Sequence, residues 1–492
     1  MKRVLKFGGS SVATADRMRQ VATIINQYAE QDELVIVVSA LRGVTDQLIE
    51  CAKLASANKT QYHALVKMIA TRHHNLLNEL LDSKVTPEAL NNLDSLLQEL
   101  EKILDSISIL HDNHAHACDL VVSFGERLSA GIFATFLNTQ RPACYVDARQ
   151  FIKTDHHFTK AQVLFEESEI AIQHYFSALF KQQPDIIPIV TGFIGLTDDH
   201  QVTTLGRDGS NYTAEIIAAA LNVAEIHIFS DVSGVHSANP KLIDNTIKQP
   251  RLSYDEAREI SLYDGKVLNA LLKPEVIEKQ IPIWVKNTLN PVDQGTLISS
   301  YTEKKTIKNV SLMHDLVFIS LSSKQVCMKD ITKRLFNILQ AAEVHYIFVT
   351  QTSTADEACF AILEKDIEKI QQMVAHEFIH EFNKNFLSIE KNNEQAIIIL
   401  IGEEVKQALD KLGSIFIGLH QNNIVLKGIV HGTSKCNLSY IVDSHKSLKA
   451  LEIIHKAIFG VEQPNKVASE ALTGSRNETK SMQDKKNAKL YK

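Results

Sequence analysis

The run Arg3-Val4-Leu5-Lys6-Phe7-Gly8-Gly9-Ser10-Ser11 is followed, one helix later, by Leu34-Val35-Ile36-Val37-Val38-Ser39. The first begins as a short apolar strand and breaks at a glycine pair. Residues 14–29 between the two runs have helical spacing of apolar positions. Strand, glycine turn, helix and strand at this distance predict an α/β fold, a mostly parallel sheet sandwiched by helices, with ligand loops at the carboxyl ends of the strands.

Working outward, residues 46–113 carry Leu and Ile at three- and four-residue intervals and read as a helical elaboration, broken near Val85-Thr86-Pro87. Further strands are predicted at 144–147, 186–194, 225–229 and 282–286, with helices at 126–137, 211–221 and 254–272. Residues 1–299 therefore read as one α/β unit. A Lys-rich stretch at 303–308 reads as a linker. Beyond it, Phe336, Leu339, Val344 and Phe360 recur at an offset of 80 as Phe416, Leu419, Ile424 and Tyr440. Each copy reads strand, helix (331–340 and 405–421), strand, strand, helix, which predicts two α+β ferredoxin-like units over 308–390 and 391–460. Residues 461–492, rich in Lys, Asn, Ser and Glu, read as a disordered tail.

Composition narrows the function. The 492 residues carry 52 basic and 58 acidic side chains, net −6, with no Lys/Arg stripe, which argues against a nucleic-acid partner. No uninterrupted apolar run reaches the ~18–20 residues of a membrane span, and no signal peptide is read at the start, so the expected location is cytoplasmic. The six cysteines are scattered, without the paired spacing of a disulfide frame or zinc site. His111, His114 and His116 beside Cys118 read as polar surface; no metal is assigned to protein side chains.

Chemistry concentrates at predicted strand ends. Lys6-Phe7-Gly8-Gly9-Ser10-Ser11 sets an ammonium beside bare backbone N–H groups with a helix start behind, which suits a polyphosphate; alone it could equally be a tight turn with a solvated lysine. Gly206-Arg207-Asp208-Gly209-Ser210-Asn211 opens a helix that Ser210 or Asn211 could cap, leaving Arg207 to offer a planar fork to a carboxylate. Ser123-Phe124-Gly125-Glu126-Arg127, read between a strand and a helix, sets Glu126 in a first turn, where it could simply complement the helix dipole. Ser230-Asp231-Val232-Ser233-Gly234-Val235-His236, Asn239-Pro240-Lys241 and Asp264-Gly265-Lys266 add a carboxylate and two lysines. Their joint placement on one sheet predicts a phosphate-donor site.

These motifs resemble the aspartate kinases of the amino-acid kinase family, and most of all the kinase part of bifunctional aspartokinase–homoserine dehydrogenases, without the dehydrogenase. KFGGSSV (6–12), VVSA (37–40) with Thr45, FGERLS (124–129), GRDGSNYTA (206–214), SDVSGV (230–235) and GKVL (265–268) carry the likeness, which extends from residue 1 to about 459. It implies transfer of the ATP γ-phosphate to the β-carboxylate of L-aspartate, with Mg2+, as the first step toward lysine, threonine and methionine. It implies Lys6, Lys266 and Arg207 as catalytic residues, and Ser39, Thr45, Glu126, Arg207 and Asn211 around aspartate. Lys6, Gly8, Gly9, Ser10, Ser230, Asp231, His236, Lys241 and Lys266 fall around ATP. The two C-terminal units resemble paired regulatory ACT domains, in which the strand at 310–313 belongs to the second unit. Gln351 and His431 would contact an amino-acid effector, threonine or lysine, in a homodimer or larger homo-oligomer. The chain departs from the family where its usual aspartate is Asn211, and at Ser230, Ser233, His236, Asn239, Lys241 and Asn269. Those departures leave a second reading, a catalytically weakened or inactive amino-acid sensor or regulatory subunit retaining the kinase fold. A kinase for acetylglutamate explains the Lys-Gly-Gly start but not the paired C-terminal units.

Overall fold

In the computed structural model, which describes residues 1–82, 86–263, 272–301, 303–304, 306–323, 327–351, 357–431 and 434–460, the apolar runs assemble into an eight-stranded sheet. Its order is Arg251–Ser253, Thr296–Ser299, Ile283–Asn287, Glu225–Ser230, Lys2–Phe7, Glu33–Val38, Ile187–Thr191 and Ala143–Val146. Neighbours run parallel except Ile283–Asn287 against Thr296–Ser299. The chain lays its strands on one side of Lys2–Phe7 up to residue 191 and on the other side from residue 225 onward. The crevice for a ligand therefore opens at the carboxyl end of Lys2–Phe7, where the direction of growth reverses.

Period-two alternation divides the core. Leu5, Phe7, Ile36 and Val38 face Ala15–Tyr28 and the helical elaboration. Val4, Val35, Val37, Ile226 and Ile228 belong to the opposite core, with Gly209–Leu221 and Phe165–Gln182. The elaboration is Val44–Ser56, Gln61–Leu81 and Pro87–Leu110. Thr86 Oγ1 caps the last of these by accepting from the Ala89 N–H at 3.2 Å, with Pro87 in the first turn; Val85 of the predicted break lies outside the described residues.

Three expectations need correction. The segment before Glu126 is helix, not strand: Ala115–Val122 runs into Phe124–Asn138. Val121 and Val122 are β-branched, but both are buried with Ala117 against the helical core, so tertiary packing overrode propensity. Together the two helices are long and apolar enough to cross a membrane, yet 83% of the most apolar window is buried inside the protein. The predicted helix 405–421 is a short 3-10 turn, Val405–Gln407, and then Leu409–Gln421, because Glu404 is left-handed at φ +52° and Ala408 leaves helical geometry. Third, neither Ser210 nor Asn211 is the cap of Gly209–Leu221; that position is Asp208. Of the predicted helix 254–272, Tyr254–Tyr263 is described; residues 264–271, with Lys266 and Asn269, lie outside the described residues, as does the 461–492 tail.

The C-terminal repeat forms two four-stranded antiparallel sheets. The first, ordered Tyr346–Gln351, Glu357–Leu363, Leu316–Ser323 and Leu387–Asn392, takes all four strands from one contiguous stretch. The second is ordered Asn309–Met313, Gln395–Ile401, Asn437–Asp443 and Gly428–Val430. Its outer strand thus comes from before the first unit, as the resemblance implied for 310–313. Both have the same ferredoxin-like order once that strand is counted fourth.

Candidate active site

Parallel pairing brings the loops after Phe7, Val38 and Ser230 to one edge, and packing fixes their shape. The Gly8 N–H donates to Phe229 O at 3.1 Å, and the Arg42 N–H donates to Gly9 O at 3.1 Å. A Cβ on Gly9 would lie 2.7 Å from Ala40 O, so only glycine lets the two loops approach. From outside, Arg72 on Gln61–Leu81 clasps both: its guanidinium donates to Arg42 O at 2.9 Å and to Ala13 O at 3.4 Å. The helix Gly209–Leu221 aims its N-terminus at the same space, with Gly209, Ser210 and Asn211 on the wall.

The result is a cavity of about 680 Å³. Its wall includes Lys6, Gly8, Gly9, Ser10, Ser39, Thr45, Glu126, Arg207, Asn211, Ser230 and Asp231, so eleven of the residues singled out from the sequence converge. Lys6 is buried, and desolvation lowers its pKa to about 8 although Asp208 and Glu126 oppose the shift. Glu126 is also buried. Its Oε1 accepts from the Ala40 N–H at 3.1 Å, while Oε2 has no hydrogen-bond partner among the described residues. Burial raises the Glu126 carboxyl to about 8, against the Ala40 amide and Lys6. A buried carboxylate oxygen without a donor is costly, and fits a site that receives an ammonium. Arg207, by contrast, is exposed, with Nε 3.7 Å from Asp208 Oδ2.

Other predicted residues stand elsewhere. His236 lies off the cavity wall in the short ribbon Val235–His236 with Lys248–Gln249, its Nδ1 3.0 Å from Thr246 Oγ1. Lys241 is exposed beyond it, its backbone N–H donating to Asn239 Oδ1 at 3.0 Å. Gln351 ends the edge strand of the first C-terminal sheet, while its side chain is outside the described residues; His431 is exposed just past the edge strand of the second. His114 and His116, read as polar surface, are exposed and gather with Asp112, their ligand atoms within 4.8 Å of one another.

One wall residue had no counterpart in the sequence reading. Asp119 is buried, accepts from the Thr159 and Thr204 N–H groups at 2.8 and 2.9 Å and from Thr204 Oγ1 at 2.7 Å, and so ties together the two segments flanking Gly206 and Arg207. The available signal was a single carboxylate inside the apolar stretch Ala117-Cys118-Asp119-Leu120-Val121-Val122.

Residues 1–296 match the model of the amino acid kinase family. The chain is 31% identical to aspartokinase 1, chloroplastic, of Arabidopsis thaliana, over 93% of this chain and 80% of that protein. It is 28% identical to bifunctional aspartokinase/homoserine dehydrogenase 2, chloroplastic, of the same plant, again over 93% of this chain but only 51% of the relative. The chain thus spans about half the length of the bifunctional relative. A crystal structure of E. coli aspartokinase III with aspartate and ADP has the same fold: TM-score 0.79 at 22% identity, covering 93% of this chain and all of that one.

Proposed function

Because the chain belongs to the amino-acid kinase family and, within it, to the aspartokinases, we propose that it transfers the γ-phosphate of ATP to the β-carboxylate of L-aspartate, giving 4-phospho-L-aspartate and ADP. The observation that carries this reading is the convergence on one cavity of a buried Lys6, a bare glycine loop and a Glu126 with one unsatisfied oxygen.

A carboxylate nucleophile is already ionised at neutral pH, so no general base is required; catalysis consists of alignment and of neutralising charge on the migrating phosphoryl group. A β-carboxylate oxygen forms the new P–O bond as the bond to the ADP oxygen breaks. In this reading Lys6 faces the transferring group, the loop of Gly8, Gly9 and Ser10 cradles it, its Gly8 N–H held by Phe229 O and the N–H groups of Gly9 and Ser10 turned to the phosphate, and Lys266 neutralises the remaining phosphates. Arg207 pairs with the substrate α-carboxylate, while Glu126 receives its ammonium and Ser39, Thr45 and Asn211 complete the aspartate pocket. Ser230 and Asp231 lie on the nucleotide side, with His236 and Lys241 further along the same loop. Magnesium bound with the nucleotide supplies further neutralisation, and Asp231, exposed on the cavity wall, is a carboxylate able to hold it.

The same proposal takes residues 1–299 as catalytic, 308–390 and 391–460 as regulatory and 461–492 as a tail. Threonine or lysine binds near Gln351 and His431 as feedback effector, the edge strands join a second copy in a homodimer, and the enzyme works in the cytoplasm.

Aspartate-dependent ADP release, with aspartyl phosphate trapped as its hydroxamate, tests the reading. Lys6→Ala should lower turnover by about 10²–10³-fold, the scale for removing one group that stabilises transition-state charge. Absence of product at millimolar aspartate with ATP and magnesium, or a preference for N-acetylglutamate, would sink it.

A further inference from the structure

We propose that Asp119 is the positioning residue for Arg207: its buried carboxyl group pins the backbone at Thr159 and Thr204, and that clamp sets the turn from which Arg207 meets the substrate α-carboxylate. The inference deepens the phosphoryl-transfer reading and rests on it.

The contacts supply the first reason. Asp119, on Ala115–Val122, is 1% exposed, and its Oδ2 accepts from both the Thr159 and the Thr204 N–H while Oδ1 accepts from Thr204 Oγ1. A buried carboxyl group is costly without donors, so the helix and the two segments hold one another in place. The Thr159 turn is the part that needs holding. Its φ of +70° at a β-branched residue persists only where the surroundings enforce it.

The second reason is where the clamp leads. The Ala161 N–H donates to Thr204 O at 3.0 Å, and a Cβ on Gly206 would lie 3.3 Å from Thr159 O, so the two segments stay in close contact as far as residue 206. Beyond Thr204, the Leu205 N–H donates to Phe193 O at 2.9 Å, and the Gly209 N–H donates to Gly206 O at 3.0 Å. Arg207 sits within that closed turn. Its side chain is exposed, and the backbone beneath it sets where the guanidinium starts. Asp119 borders the same cavity, yet both of its oxygens are engaged by protein donors, whereas Glu126 Oε2 has no partner among the described residues. Glu126 is therefore the carboxyl group placed to meet the substrate, and Asp119 the one that shapes the wall.

The test compares Asp119→Ala, Asp119→Asn, Thr204→Val and Arg207→Ala with wild type, and adds Asp119→Ala combined with Arg207→Ala. Asp119→Ala should raise KM for aspartate about tenfold and change kcat less, because a grip on the α-carboxylate acts alike on ground and transition states. Asp119→Asn should recover most of that loss, since its amide oxygen still accepts both N–H groups and its NH2 donates to the Thr204 hydroxyl, which can also accept. Thr204→Val, losing the hydroxyl contact alone, should raise KM about threefold. Once Arg207 is alanine, adding Asp119→Ala should raise KM little further, because both changes remove one grip. Hydrogen exchange of the 204–208 amides, read by mass spectrometry, should quicken in Asp119→Ala and return toward wild type in Asp119→Asn. Independent, multiplying effects of Asp119→Ala and Arg207→Ala would overturn the proposal. So would an Asp119→Asn as impaired as Asp119→Ala, which would show that the charge itself meets the substrate. Should Asp119→Ala fold poorly, Thr204→Val combined with Arg207→Ala poses the same question. A wild type silent toward aspartate would sink the phosphoryl-transfer reading instead, and the exchange pattern would still decide the clamp.

Discussion

The two four-stranded sheets of the C-terminal half share a topology but differ in their attachments. The helix-side core of the first, with Val317, Ile319, Leu335, Phe360 and Leu387, is built from that unit's own residues. The corresponding core of the second, with Ile398, Leu400, Leu419, Tyr440 and Ile454, extends to Ala238 and Ile243 in the segment after Glu225–Ser230. Polar contacts follow the same division. The Val310 N–H donates to Ser237 O at 2.7 Å, Asn309 Nδ2 donates to His236 O at 2.9 Å, and Ser237 Oγ lies 2.8 Å from His455 Nε2. On the other flank, Ser434 Oγ and Asn437 Nδ2 both donate to Glu259 at 2.8 Å. The first unit reaches the kinase part through Lys160 and Glu343 at 3.6 Å, an exposed pair worth little. Apolar packing joins the sheets themselves, Phe318 and Phe348 falling in one cluster with Ile397 and Ile399. The two modules thus share a fold while the second is packed into the α/β part and the first, the outboard one, is joined mainly to the second.

Core truncation tests this contrast most severely. Ile331 and Ile454 are both fully buried, one in each unit, and replacing either by alanine should cost about 2–5 kcal/mol. Calorimetry of Ile331→Ala should show an early transition confined to the outboard unit, with aspartate-dependent ADP release retained at temperatures between the two melts. Ile454→Ala should lower melting and activity together. Equal inactivation by the two would erase the distinction.

A smaller effect should follow from cutting one polar connection. Glu259→Gln loses a charged acceptor shared by Ser434 and Asn437 and should raise the half-inhibiting concentration of lysine or threonine by about tenfold, inside the usual range of allosteric coupling, with little change in turnover without effector. An unaltered inhibition curve in a responsive enzyme would remove Glu259 from the connection. A wild type indifferent to both amino acids would remove the regulatory proposal.

The smallest expected change concerns pH. Burial raises Glu126 in the fold to about 8 from an ordinary 4.5, so the unfolded chain releases this proton first as pH rises. Between those limits each increase in pH favours unfolding, and the contribution lost by pH 8 is present in full below 4.5. Glu126→Gln should therefore gain melting temperature over wild type progressively from pH 5 to 8. That gain belongs to the kinase transition and not to that of the outboard unit. A pH-independent difference would show that Glu126 is not held protonated by burial.

Strand existence in the catalytic sheet was legible because parallel strands buried on both faces need unbroken apolar runs, as in residues 34–38 and 225–229. The same cue misled ahead of Ser123, where the apolar run Leu120-Val121-Val122 ends a largely buried helix. Short strands such as Arg251–Ser253 at the sheet edge and Thr296–Ser299 beside it offered too few residues for any period. In the site, glycine-bearing strand ends announced Lys6 and Arg207, while Glu126 was found through a first helical turn whose preceding element is helix. Asp119 stayed hidden because its partners, two backbone N–H groups and the Thr204 hydroxyl, lie 40 and 85 residues away and leave no local pattern. Nor did local spacing reveal that Asn309–Met313 completes the second sheet; the resemblance supplied that connection.

That borrowed strand has a consequence for anyone who dissects or recombines the molecule. A cut between Met313 and Leu316 would release the outboard unit's first strand from the kinase, and would leave the other unit's fourth strand on the wrong fragment. Excising 316–392 preserves both neighbours only if a new linker reconnects 313 to 395 across the hairpin their antiparallel pairing defines, with Met313 opposite Ile397. Transplanting the C-terminal part between homologues therefore calls for moving 309–460 as one cassette, its two modules interlocked like links of a chain.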